Sequence, residues 1–237
     1  MITNAAFRSE QGKKSRPCED RYRVLDARVP IVRQAQRGFL YAVMDGVGSA
    51  PKALRAAQHI ADRLLAFYAD PAIPATAQAL HDLLMTINRE IRDWGVMDGT
   101  DRPLGAAAAT VAWFTPRHNL VLFQSGDTVA YRSDGTTLRR LTREHSDGRA
   151  LTSYLGMGER CRIDVDSVRL DEGDILCLVS DGVTKTMPDD QIEAVLRAAT
   201  TPEVAARELV SRARGRGSRD DITAIVVELE EWGESCE

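Results

Sequence analysis

Residues 38–50 read GFLYAVMDGVGSA, and this stretch sets the terms for the rest of the chain. Phe39 to Met44 form an apolar run without polar alternation, and Asp45-Gly46 ends it in a glycine-rich turn. A short apolar run bounded by a turn is read as a buried strand. The construction recurs at 174–183, DILCLVSDGV, where Asp181-Gly182 closes a second apolar run. Three more acidic clusters sit beside strand-like segments: Glu19-Asp20 before RYRVL, Asp127 in Ser-Gly-Asp-Thr, and Asp220-Asp221 before ITAIVV. In both Asp-Gly pairs the glycine is read as permitting a backbone conformation that other residues resist, so that a carbonyl can turn towards a ligand.

Outward from the first strand the periodicity changes. Residues 51–68 are read as a helix, with Pro51 in its first turn and Ala53, Ala56, Ala57, Ile60, Leu64 and Leu65 as its apolar stripe. A second helix is expected over 74–94, carrying Leu80, Leu83, Leu84, Ile87 and Ile91 on one face. Residues 104–116, 119–125, 128–133 and 137–142 read as consecutive strands, with Asp127 opening a hairpin and SDG at 133–135 forming another turn. Strands near 162–170 and 174–180, helices near 188–199 and 202–213, and a last strand at 222–229 complete the pattern. Glu19-Asp20 begins an early strand and Asp220 starts the final one. The class is α+β: helices packed outside mostly antiparallel sheets, in one domain over 1–237.

Composition narrows the function. The chain has 237 residues, 43% of them hydrophobic, which suffices for a real core. A net charge of -4 gives no case for nucleic acid as a partner. The basic stretch Arg212, Arg214, Arg216, Arg219 reads as a solvated loop leading into Asp220. Cys18, Cys161, Cys177 and Cys236 form no C-x-x-C pair, which argues against zinc. Cys177 reads as core; Cys18 reads as a small packing residue, with a redox-sensitive thiol as the alternative. Without a secretory apolar region or a long apolar run, no membrane association is expected, and the location expected is cytoplasmic. A monomer is expected.

Each Asp-Gly alone could be an ordinary hairpin turn. The sequence argues against an EF-hand at 45–49, because the alternating ligands and terminal Glu are missing. Taken together, the clusters suggest a reason to gather carboxylates, which are costly to bury unless paired or bound to a cation. Mg²⁺ and Mn²⁺ prefer such oxygen ligands, and two of them side by side serve the attack on phosphate esters.

The ordered motifs EDRY, YAVMDGVGS, GDTVAY, LTREHS, LTSYLG, GDILCLVSDG and GSRDDITAIVV, from about residue 12 to 228, resemble the metal-dependent serine/threonine protein phosphatases of the PPM, or protein phosphatase 2C, type. The resemblance implies an αββα sandwich of two antiparallel sheets flanked by helix pairs. It implies hydrolysis of phosphoserine or phosphothreonine in a phosphorylated protein, the target of a serine/threonine kinase, using two Mn²⁺ or Mg²⁺ ions and a third, weaker site. By the same resemblance Asp45 bridges both cations, Glu19 and the Gly46 carbonyl hold one, and Asp181 and Asp220 hold the other. Asp20 holds metal-bound water, Asp127 shares the third cation with Asp181, and the nucleophile is the bridging water.

The chain departs from that pattern. The family's phosphate-binding arginine falls at Ser15; Arg16 is the replacement candidate, since a guanidinium fork suits phosphate better than Lys13 or Lys14. Val47 stands where some members carry His, and Gly105-Ala106-Ala107, Val129 and Asp221 replace other family residues. Only Asp147 to Ala150 separate EHS from LTSYLG, where relatives carry a flap of a few tens of residues. His145 and Ser146 in this stretch are read as a structural hydrogen-bonded pair. Besides an active phosphatase, the sequence leaves two alternatives open: a regulatory phosphatase dedicated to one partner, and a catalytically dead binding module.

Overall fold

The computed structural model describes residues 1–13, 17–99 and 103–232. The strands are β1 (Ile2–Glu10), β2 (Arg21–Leu25), β3 (Phe39–Gly46), β4 (Ala107–Phe114), β5 (Leu120–Ser125), β6 (Val129–Ser133), β7 (Leu138–Arg140), β8 (Asp164–Val168), β9 (Ile175–Val179) and β10 (Ile222–Glu231). The helices are α1 (Pro30–Ala35), α2 (Ala53–Arg63), α3 (Ala66–Ala69), α4 (Ala77–Met97), α5 (Asp181–Thr184), α6 (Asp189–Ala198) and α7 (Pro202–Gly215). Two five-stranded sheets result, in the orders β1-β10-β9-β6-β7 and β2-β3-β4-β5-β8, with antiparallel pairing throughout.

The unbroken apolar runs follow from burial on both faces. Along β3, Leu40, Ala42 and Met44 pack with α2 and α4 residues such as Ile60, Leu84 and Ile87. The alternate residues Tyr41 and Val43 enter the layer between the sheets, with Leu176, Leu178, Ile225 and Val227. On the other sheet Cys177, Val179, Ala224 and Val226 meet α6 and α7 through Ile192, Val195, Leu209 and Val210. Side chains alternate across a strand, so a strand with helices on one side and a sheet on the other must be apolar at every position. The three apolar layers give the expected helix–sheet–sheet–helix sandwich.

Several elements differ from the sequence reading. The helix expected over 51–68 is two pieces, α2 and α3. Amides of Phe67 and Tyr68 bond back three residues, to the Leu64 and Leu65 carbonyls, which tightens the chain and buries both rings. Leu65, counted in the apolar stripe, is exposed. The turn at Asp127 is no hairpin: β5 and β6 lie in different sheets, and the chain crosses between them there. The hairpin at 133–135 does form, with β6 paired to β7 and Asp134 accepting from the Thr136 and Thr137 amides. Arg212 and Arg214 belong to the last turn of α7 rather than to a loop, where cations complement the helix dipole. Arg16 and Cys236 lie outside the described residues.

Candidate active site

The two sheets bring their acidic ends to one place. Asp45 is the penultimate residue of β3, opposite Ala108 of β4. Asp127 sits in the crossing between β5 and β6, and Asp181 opens α5 immediately after β9. Asp45, Asp127 and Asp181 each offer a carboxylate oxygen, and the three oxygens lie within 4.8 Å of one another. Asp20 and Asp220 add to the field at Asp45. Residues separated by more than a hundred positions are thus gathered by the meeting of two sheets.

The glycines after these aspartates act by close approach, not by unusual dihedrals. Neither Gly46 nor Gly182 has a positive φ, contrary to the sequence reading. A Cβ on Gly46 would come within 2.9 Å of the Glu19 Cβ and of the Ala53 backbone. One on Gly182 would collide with the Asp221 carbonyl. Both positions exclude a side chain because backbone from elsewhere in the fold is packed against them, that of Ala53 at Gly46 and that of Asp221 at Gly182. The Gly46 amide also donates to the Glu19 carbonyl at 3.3 Å, which fixes Glu19 beside the end of β3.

Asp221, given no role by the sequence reading beyond its place in an acidic cluster, has a clear task. Its Oδ1 accepts from the Gly12 amide at 2.6 Å and its Oδ2 from the Glu19 amide at 2.7 Å. One buried carboxylate therefore clamps two segments of backbone to the approach to β10. Asp220 lies two residues ahead of β10 rather than starting it. Arg21 supports the same corner, donating to the Cys18 and Asp20 carbonyls at 3.0 and 2.6 Å.

The Asp127 crossing is held from beneath. Gln124 Nε2 donates to the Gly126 and Thr128 carbonyls, both at 2.9 Å, and Thr110 bonds both Gln124 and Thr128. His145 is buried below it, accepting weakly from the Gly126 amide at 3.4 Å and bonding Asp164 at 2.9 Å. Its partner is therefore Asp164, not Ser146, whose hydroxyl accepts from the Gly148 amide. Gln124, a polar residue inside the otherwise apolar run of β5, is the sequence signal for this network.

The cluster carries a marked electrostatic strain. Burial first, and then Asp20, Asp181, Asp127 and Asp220, push the Asp45 carboxyl well above the usual carboxylate range of 3.8. Asp127 is raised to about 6 by burial and by Asp181, with Lys185 opposing. Asp20 is raised to about 7, chiefly by burial, with Asp221 and Asp181 adding. The Thr223 and Ser180 hydroxyls lie near enough to Asp20 to oppose the rise, yet neither buried oxygen completes a hydrogen bond among the described residues. Carboxylates so placed fit a cation, and an all-oxygen donor set suits Mg²⁺ or Mn²⁺.

A family profile described as Stage II sporulation protein E (SpoIIE) matches residues 42–230. The chain belongs to this SpoIIE/PP2C-type phosphatase family. The serine/threonine phosphatase stp of Listeria monocytogenes is 25% identical over 250 residues, covering 95% of each chain. Protein phosphatase 2C homolog 4 of Schizosaccharomyces pombe is 33% identical over 91 residues, 38% of this chain and 24% of its own. Among solved structures, the serine/threonine phosphatase Stp1 of Staphylococcus aureus superposes with a TM-score of 0.84 at 20% identity, covering 98% of this chain and 96% of that one. The protein is a serine/threonine phosphatase of the bacterial PPM type, in a family that acts on phosphoserine or phosphothreonine in proteins.

Two further features lie beside the cluster. The span Asp147 to Ala150 closes as a tight turn, with Ser146 bridged to Leu151 and the Thr152 amide bonded to the His145 carbonyl at 2.8 Å. No flap intervenes there. Lys185, one helical turn beyond Asp181, places its ammonium on the Asp181 carboxylate and 3.5 Å from that of Asp220. The sequence reading missed Lys185, although its i,i+4 spacing from Asp181 was visible.

Proposed function

We propose that the phosphatase works with divalent cations held by the converging carboxylates. The observation that carries this is the meeting of Asp45, Asp127 and Asp181 oxygens within 4.8 Å, from elements of both sheets. Asp45, Glu19 and the Gly46 carbonyl would hold one Mn²⁺ or Mg²⁺; Asp45, Asp181 and Asp220 would hold a second. Asp127 and Asp181 would share a third, weaker one. When bound, such cations supply a water acidified towards neutral pH as nucleophile and offset charge on the phosphoryl oxygens.

The chain's own part is placement and charge. Asp221 fixes the backbone of Glu19, so this carboxylate need not be ordered when a ligand arrives. Gln124 and Thr110 do the same for the Asp127 crossing. Asp20, buried and without a hydrogen-bond partner among the described residues, is suited to accept a proton or a hydrogen bond from water in the site. No role in covalent catalysis is assigned to a side chain: Cys18 is held protonated, its pKa pushed up to about 11 by burial and by Asp20 and Asp221. Arg16 remains our candidate for capturing the substrate phosphate. The substrate would be a phosphoprotein, acted on by a monomer in the cytoplasm. Among the described residues no helix is long and apolar enough to cross a membrane.

The test is hydrolysis of a phosphothreonine peptide by dialysed protein, with acid-quenched samples searched for phosphoenzyme. Activity appearing with Mn²⁺ and no trapped phosphoenzyme is expected. A phosphorylated side chain formed during turnover would overturn direct attack by water.

A further inference from the structure

We propose that Lys185 is a built-in cation that occupies the Asp181–Asp220 position in the metal-free protein and must be displaced when a divalent ion enters. The inference rests on the metal-centre reading above and concerns how this chain regulates the filling of that centre. Its geometric basis is direct. Lys185 caps the C-terminal end of α5, and its amide bonds to the Asp181 carbonyl at 2.9 Å. One helical turn therefore returns its side chain over the Asp181 carboxylate, where the ammonium makes an ion pair. The same ammonium reaches Asp220, on the separate segment leading into β10, at 3.5 Å. A single positive charge thus spans the two carboxylates that would otherwise share a divalent cation.

The consequences follow from charge. In the metal-free protein Asp45, Asp127, Asp181 and Asp220 repel one another, and Lys185 offsets part of that repulsion. It therefore helps keep Asp181 and Asp220 in place before a metal arrives. A divalent ion binding the same oxygens must break both contacts and accept a neighbouring positive charge. The position held by Asp181 and Asp220 should accordingly be weaker than it would be without the lysine. More than half of the Lys185 side chain is exposed, so the displaced ammonium can swing into solvent.

The experiment is titration calorimetry of chelator-treated protein with Mn²⁺, alongside melting of the metal-free forms. Wild type, Lys185→Met and Lys185→Arg are compared, each also in an Asp220→Asn background. Lys185→Met should bind Mn²⁺ tighter by about tenfold, or about 1.4 kcal/mol, and its metal-free form should melt at a lower temperature. Lys185→Arg, which keeps the charge, should stay near wild type in both. The gain should shrink in the Asp220→Asn background, because the shared carboxylate is gone. Should Lys185→Met fail to fold without metal, Lys185→Gln replaces it in the same comparison. Unchanged or weaker Mn²⁺ binding by the neutral variants, with normal binding by wild type, overturns the role of Lys185 alone. Absence of Mn²⁺ binding in every form overturns the metal centre itself, and this inference with it.

Discussion

Asp20 and Asp127 bind protons more tightly in the metal-free fold than an unfolded chain would, and that difference has a sign. Their carboxyls stand near 7 and 6 against an ordinary 3.8. A raised folded pKa gives stability that is fully present below about 3.8 and is lost as pH rises through about 6 to 7. The metal-free protein should therefore melt at progressively lower temperature between pH values of about 4.5 and about 7.5. Mn²⁺ should flatten the slope, and so should Asp127→Asn in part. A melting temperature that rises over this window in chelator would contradict the crowding. Cys18 belongs to the same corner and is raised to about 11. At a pH of about 8 roughly one thiol in a thousand is then ionised. Peptide mapping after iodoacetamide should find Cys18 unmodified in the native protein and alkylated after denaturation. Rapid native labelling would restore the redox alternative.

Elements were legible in the sequence where burial is two-sided. β3 and β9 announce themselves because helices cover one face and the opposite sheet the other. β1 escaped notice because it is an edge strand whose sole buried residue is Ala5, leaving no alternation to read. The Asp127 crossing was misread as a hairpin because a glycine turn between two short strands looks the same whether they pair or part. Pairing is settled outside the turn: β6 pairs with β7, which follows it, and with the distant β9, not with β5. The candidate ligands were legible as acidic residues at strand ends, and the resemblance gave them roles. The tasks of Asp221 and of Lys185 at Asp220 were not, because they depend on contacts across the fold, and that of Gln124 was not, because it depends on the chain crossing between the sheets at Asp127. Asp221 offers the element-scale test. Its carboxylate joins the approach to β10 to the Gly12 and Glu19 amides. Asp221→Ala strands both donors and should cost about 2–4 kcal/mol in urea unfolding. It should also weaken Mn²⁺ binding, since Glu19 loses its anchor. A loss under about 0.5 kcal/mol would mean that the clamp is unimportant.

At the scale of the molecule, two sheets meet so that their acidic ends face a surface without a flap. The turn from Ser146 to Leu151 is closed by its own hydrogen bonds and projects no lid over the cluster. Discrimination needs contacts that favour one sequence over another, and a missing lid removes some of them. Short phosphopeptides of varied sequence should be hydrolysed with kcat/KM values within about tenfold of one another, each poorly. A whole phosphoprotein should be a far better substrate, because remote binding energy then helps to position the phosphate. Strong selectivity among short peptides, equal to that for the intact partner, would show that another loop has taken over the flap's task. The claim on which all of this depends is that the gathered carboxylates hold the catalytic cations. It is tested most directly by phosphopeptide hydrolysis at saturating Mn²⁺ for wild type and Asp45→Asn, each with and without excess EDTA. The account predicts metal-dependent turnover for wild type and a loss of about a thousandfold or more for Asp45→Asn, with the variant still folded. Full wild-type activity in EDTA, or near wild-type turnover by Asp45→Asn, would contradict it.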